Sequence, residues 1–374
     1  MSLTNVADQG PARPIILMPQ RWLPSQTYAA RFSARWHQVH KRTMIRRDPP
    51  IRYGRRIADF ESNLDPEFPD LGVLELEEGY VIGPDGWVVS REEYLLPEHS
   101  WYGLHMNNIR LSKRPFEVVR LKGVCLTLAS DWAADNFGHF LLDSVTRFDL
   151  FKKAGFDVTD VDHVYYAAPN NHSDRFLEMM GIPREKLIKA TRGMALQADI
   201  VLAPSFPGAR RNYPSWAVDF LRRTFAPASV SRRRRLYIPR TTTRKVINEE
   251  AILSTLRAHN FEIFDPVLCE NQPRHFAEAE IVVGAHGSGL AGLAFCQPGT
   301  RALELIPSDH ILPYYYTLST AGGLRYGYLI GDSVAERPPS SFGPSPYDFR
   351  IDESAFHNAL TEIVEKSTTF HKRE

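Results

Sequence analysis

Between residues 136 and 147 the segment NFGHFLLDSVTR places His139, Asp143 and Arg147 at intervals of four. In a helix starting near Asn136 that spacing sets all three side chains on one broad face. An imidazole with a pKa of about 6.5 can accept an alcohol proton near neutral pH while a neighbouring carboxylate orients it. His139 is therefore the first choice for a general base, and Asp143 either orients it or is the base itself. Arg147 either binds an anionic substrate or holds Asp143 in an ion pair. A plainer reading has Asn136 capping the helix, with Asp143 and Arg147 as a structural pair. Asp131, His139 and Asp143 also approximate a metal ligand set, but their spacing is not diagnostic and no metal is assigned to them.

A second segment, IVVGAHGSGLAG over residues 281–292, reads as an apolar strand entering a glycine-rich turn with a helix behind it. Gly287, Ser288 and Gly289 allow close backbone approach, and helix-start N–H groups can face phosphate oxygens. Neither a full GxGxxG fingerprint nor the Lys-Ser/Thr ending of a P-loop is present, which argues against NAD binding and ATP hydrolysis. His286 inside the loop can donate to a phosphate. Arg240 and Arg244 can neutralise a diphosphate leaving group through charge-assisted hydrogen bonds. Glu304, near the end of a further strand, can hold ribose hydroxyls, or serve only as an ion-paired carboxylate. Together these groups favour a phosphorylated nucleotide over a bare carbohydrate.

The elements that must carry these residues alternate. Strand signals at EVVRLKGVCLTLA, VDHVYYAAP and ADIVLAP are separated by helical stretches over residues 136–154 and near SDRFLEMMG, an open α/β pattern. A second cycle runs through RRLYIPR, a helix across VINEEAILSTLRAHN, then EIVVGAHGSG and RALELIP. APASVSRRRR, residues 226–235, is the expected linker between the cycles. VLELEEGYVIGPDGWVVSREEYL reads as a hairpin around Gly83-Pro84-Asp85-Gly86. The chain of 374 residues carries 45 basic and 44 acidic side chains, a net charge of +1 that gives no reason to expect a nucleic acid partner. The three cysteines, Cys125, Cys269 and Cys296, are too few and too dispersed for a disulfide framework. No apolar run of membrane-spanning length and no leader pattern is present, so a soluble cytoplasmic protein is expected. The basic stretch HKRTMIRRDPPIRYGRR can hold a phosphate, or be a solvated arm packed on the first domain.

The ordered pair NFGHFLLDSVTRF and VVGAHGSGLAGLAFCQPGTRALELIP resembles the glycosyltransferase 61 family, which includes bacterial capsular polysaccharide enzymes, plant arabinosyl- and xylosyltransferases and animal O-linked GlcNAc transferases. The resemblance covers about residues 120–330. It implies an α/β GT-B-like fold, two Rossmann-like domains facing an interdomain cleft, with a small β-containing extension at the amino terminus. The boundaries that follow are 1–115 for the extension, 116–228 for the acceptor domain and 229–345 for the nucleotide-sugar domain. Residues 346–374 are then a helix packing back on the first domain. The resemblance further implies inverting transfer, without a bound metal or other cofactor, from a nucleotide-diphospho sugar, UDP-linked, to an oligosaccharide or lipid-linked glycan. It places Asn136, His139, Asp143 and Arg147 on the acceptor side, and Arg240, Arg244, His286, Gly287, Ser288, Gly289 and Glu304 on the donor side. Bacterial surface polysaccharide synthesis, with peripheral association at a membrane assembly complex on the inner face, is the implied setting. Two other classes stay open: a non-catalytic glycan-binding or assembly protein on the same scaffold, and a nucleotide-sugar modifying enzyme.

Overall fold

Runs of β-branched and aliphatic residues between short turns become two large sheets, the first with a parallel centre extended by antiparallel strands and the second mostly parallel. The computed structural model describes residues 15–371 except positions 18, 20, 33, 58–59, 61–62, 101–114, 209–211, 270, 337 and 339–343. The amino-terminal stretch read for a leader lies largely outside the described residues. In the first sheet Leu187–Lys189, His163–Tyr166, Phe116–Thr127 and Met194–Pro204 run side by side in parallel. Helices Arg147–Lys153 and Asn171–Met179 form the crossovers that parallel neighbours require.

The amino-terminal segment does not stand apart as an extension. Leu71–Glu77 and Tyr80–Ile82 pair antiparallel with Met194–Pro204, and Ala34–His40 pairs antiparallel with Leu71–Glu77. The sheet edge is thereby covered rather than left with unpaired backbone groups. The turn expected at residues 83–86 does join two strands, with Ile82 opposite Trp87. Further along, Ile51–Arg52 adds in parallel to the second sheet beside Gly327 and Tyr328. One segment therefore contributes strands to both sheets.

The second sheet sets Arg234–Ile238, Ala279–Ala285, Arg301–Pro307 and Arg325–Ser333 in parallel. Side chains alternate between its faces. Leu236, Ile238 and Val282 enter the main core, which also contains Leu126 and Val201 of the first sheet. Tyr237, Ile281 and Val283 point the other way, into a second apolar cluster. The two α/β halves thus share one continuous core despite the connection expected as a linker.

The carboxy-terminal helix Glu353–His371 corrects an expectation. Instead of crossing to the first half, it buries Phe356, Ala359, Leu360 and Ile363 in the second cluster. The reason is the period of three and four in those apolar positions, which matches the uncovered face of the second sheet. Among the described residues no helix is long and apolar enough to cross a membrane.

The helix expected over residues 136–154 is also modified. A single α-turn, Phe137–His139, passes into a π-helical stretch, Phe140–Val145, before α-helix resumes at Arg147. The wider turn changes the angular step, so the face shared by His139 and Asp143 does not extend to Arg147. Arg147 instead points into the core with 0% exposure. Its guanidinium donates to the carbonyls of Ala129 at 2.6 Å, Pro204 at 2.9 and 2.5 Å, and His99 at 3.4 Å. Burial lowers its pKa to about 9. It is a strut tying the carboxyl ends of the two central strands, and the acceptor-side place expected for it is corrected. Replacing Arg147 with Met strands at least two buried carbonyls. The expected loss is about 3 kcal/mol, read as a lower urea midpoint with an unchanged m-value.

Candidate functional site

The site is built where the Phe137–His139 turn meets the loop after the Ala279–Ala285 strand. Asn136 caps the turn, its Oδ1 accepting from the N–H groups of Gly138 at 2.8 Å and His139 at 3.3 Å. The capped turn presents His139, whose Nδ1 lies 2.6 Å from Asp143 Oδ2. Asp143 is fully enclosed while the His139 side chain keeps 16% of its exposure. Burial raises the Asp143 carboxyl above its ordinary range, while His139, Tyr213 and Arg147 pull in the opposite direction. With Nδ1 donating to the carboxylate, Nε2 is the basic nitrogen of the neutral ring.

Gly138 brings this turn against the glycine loop. A Cβ added there would lie 3.7 Å from Ser288 Cα and 3.7 Å from Ala291 Cβ. The loop continues as a tight 3-10 segment, Ser288–Phe295, rather than the α-helix expected. It packs on the Phe137–His139 turn and on helices Ser215–Phe225, Gln272–Ala277 and Tyr314–Ala321. Gly289 is obligatory in this packing, because a Cβ would sit 2.9 Å from Ile238 Cγ2.

Arg240 and Arg244 gather beside the loop. A Cβ at Gly287 would come 2.1 Å from Arg240 Nη1, so the missing side chain makes room for the guanidinium. Arg240 Nε donates to the Thr243 carbonyl at 2.9 Å, and Arg244 donates to the Ser345 carbonyl at 2.8 Å and the His286 carbonyl at 3.4 Å. Arg244 adopts a left-handed backbone, φ 57°. Burial lowers both pKa values, and the charge of Arg240 further lowers that of Arg244, to about 10. Arg244 is buried and Arg240 partly so, and their like charges oppose each other.

Glu304 and His286 lie behind the loop. His286 Nδ1 is 2.5 Å from Glu304 Oε1, and Tyr326 donates to Glu304 Oε2 at 2.5 Å. Glu304 is 1% exposed and His286 4%. The ribose contact expected for Glu304 is therefore corrected: its two oxygens hold His286 and Tyr326 from the interior. Burial pushes its pKa up to about 8, against a lowering from Tyr326.

Three consecutive tyrosines passed unread in the sequence, although a Pro313-Tyr314-Tyr315-Tyr316 run at a helix start is an uncommon signal. Tyr314 meets His139 edge-on, ring centroids 5.8 Å apart. Tyr315 meets His286 edge-on at 5.3 Å and donates to the Gly287 carbonyl at 2.6 Å. Tyr316 donates to the Asp48 carbonyl at 2.7 Å. One helix start thus touches both histidines and the amino-terminal segment. Asp131 is engaged elsewhere, accepting from the Trp87 indole at 3.3 Å. Among the described residues no group of three or more His, Cys, Asp and Glu side chains is arranged to hold a metal ion.

Residues 137–303 match the family model described as Glycosyltransferase 61, a span that opens at the His139 turn and closes one residue before Glu304. Over that span the chain is similar to the glycosyltransferase 61 family. A stretch of 64 residues is 36% identical to the beta-1,2-xylosyltransferase RCN11 of Oryza sativa subsp. japonica, covering 17% of this chain and 12% of that protein. The chain thus spans about an eighth of that relative's length. The segments 136–147 and 281–292 both fall inside the matched span except Asn136, and Glu304 lies just beyond its end.

Glu304 makes the stability of the fold depend on pH. The folded protein keeps the Glu304 proton to about pH 8, whereas the ordinary value is 4.5. Between those values the folded state binds more protons than the unfolded one, so stability declines as pH rises, by up to about 1.4 kcal/mol per pH unit. Urea titrations from pH 5 to 8 are expected to show this decline in the parent and its removal in Glu304→Gln.

Proposed function

We propose that this protein is an inverting glycosyltransferase that moves a sugar from a nucleotide-diphospho donor, UDP-linked, to a hydroxyl of an oligosaccharide or lipid-linked glycan. The observation that carries the reading is that the Phe137–His139 turn, which presents the His139–Asp143 pair, packs on Ser288 and Ala291 of the glycine segment, whose Gly287 has the Arg240 guanidinium beside it. A base and an anion site so close together suit a single displacement between two bound substrates. The acceptor belongs on the amino-terminal half, residues 116–228, and the donor on residues 229–345, across a cleft between them.

His139 Nε2 removes the acceptor proton as the hydroxyl oxygen attacks the anomeric carbon. The bond from that carbon to the donor phosphate oxygen breaks, and the nucleoside diphosphate departs from the opposite face. Configuration at the carbon inverts. Asp143 orients the imidazole and stabilises its protonated form, and it is the weaker candidate for the base because no part of its side chain is exposed. Arg240, Arg244 and the backbone of Gly287, Ser288 and Gly289 receive the negative charge that grows on the diphosphate. His286, held by Glu304, fixes the loop from beneath. No group in this scheme belongs to a cofactor. We place the reaction in bacterial surface polysaccharide synthesis, in the cytoplasm at the inner face of the membrane, associated peripherally with its assembly complex.

Calorimetry with UDP, GDP, CMP, ADP and their sugar conjugates, in EDTA and then with Mg²⁺, tests the donor half. Saturable binding of one sugar nucleotide in EDTA is expected, and silence across the panel would move the reading to a glycan-binding scaffold. Gly287→Ala displaces Arg240 and is expected to weaken that binding at least tenfold while the fold persists. Once an acceptor is found, His139→Gln is expected to slow the chemical step by roughly 10²–10⁴ with donor affinity retained. An unaltered rate in His139→Gln combined with a dead Asp143→Asn would reverse the assignment of the base.

A further inference from the structure

A cavity of about 630 Å³ lies between the amino-terminal segment, the start of helix Ser215–Phe225 and the end of helix Tyr314–Ala321. It is not the site described above. Arg325 on its rim pairs with Arg301 at the amino ends of the parallel strands, whereas His286 follows the carboxyl end of the neighbouring strand. The cavity therefore opens at the other end of the sheet from the glycine loop.

Its lining has two kinds of surface. Pro49, Pro50, Trp216 and Tyr316 give an apolar wall. Lys41, Arg46 and Arg325 stand exposed around it. Arg47 is buried in the wall, donating to the Asn63 carbonyl at 3.1 Å and the Tyr213 carbonyl at 3.2 Å. Asp48 is the one carboxylate among the lining residues, against these four cations. A volume in the range of small-molecule sites, with apolar walls and a basic rim, is complementary to an anion that carries an apolar body.

We propose that this cavity is a second binding site, for an organic phosphate bearing an apolar tail, with the phosphate at Lys41, Arg46 and Arg325 and the tail against the proline and aromatic wall. The basic stretch around residues 41–56, which the transfer chemistry does not use, supplies the rim. The proposal stands independently of the transferase reading, since its ligand binds without any sugar nucleotide. Tyr326 lines this cavity and also donates to the buried Glu304, so it stands between the cavity and the brace behind the glycine loop.

Calorimetry with decyl phosphate below its micellar concentration tests it, with inorganic phosphate and decyl maltoside as the separated halves of the ligand. Saturable binding of decyl phosphate is expected, at least tenfold tighter than either half. The charge reversal Lys41→Glu with Arg46→Glu, and separately Ala321→Phe, which fills the cavity from the helix end, are each expected to weaken it at least tenfold. Nucleotide affinity should be the same in parent and variants, which separates this test from the fate of the transferase reading. The proposal is overturned if decyl phosphate gives no saturable binding, if either half binds as tightly as the whole, or if both variants bind like the parent.

Discussion

The molecule depends on how closely two backbones approach at the seam between the Phe137–His139 turn and the Ser288–Phe295 segment. Glycines of the seam, and of the same segment behind it, set how near its neighbours come. Gly138 faces Ser288 and Ala291, Gly289 faces Ile238, and a Cβ at Gly292 would fall 2.0 Å from the Phe276 ring. Small residues here let the turn that carries His139 lie directly on the glycine-rich segment of the other half. The buried strut of Arg147 acts on the same seam from behind, because the strand ends that it gathers hold the turn in place. Close packing and site geometry are therefore a single constraint.

Two histidine–carboxylate pairs flank the seam, and their surroundings separate their roles. His139 retains exposure above an enclosed Asp143, so one edge of the ring faces solvent. His286 and Glu304 are both enclosed, and Tyr326 occupies the second carboxylate oxygen. Burial raises the carboxyl pKa in each pair. The same two functional groups thus stand at an accessible surface on one side and act as an internal brace on the other.

Much of this was legible in the residues, and what was not has identifiable causes. Strands such as Ala279–Ala285 and Arg301–Pro307 were readable because unbroken aliphatic runs between glycine and proline turns suit a sheet covered on both faces. The Asn136 cap and the His139–Asp143 contact followed from spacing, which survives even when the turns widen. Arg147 was misread because that widening rotates the next four-residue step into the core. Glu304 was misread because strand alternation gives a face but not its depth. Pairings as short as Ile51–Arg52 carry no periodicity at all, so the joining of the amino-terminal segment to both sheets had no signature. The carboxy-terminal helix showed its apolar stripe plainly, but a stripe does not name the surface that it will cover.

The run Tyr314-Tyr315-Tyr316 gives the helix start an indexing function. Adjacent residues on a helix project about 100° apart, so one turn addresses His139, the Gly287 carbonyl and the Asp48 carbonyl in three directions at once. Rotating the helix to improve any one of these contacts withdraws the other two. Its angular setting is thus over-determined, like a key cut on three sides, and a disturbance at any one of the three surfaces reaches the others as a turn of a single rigid element.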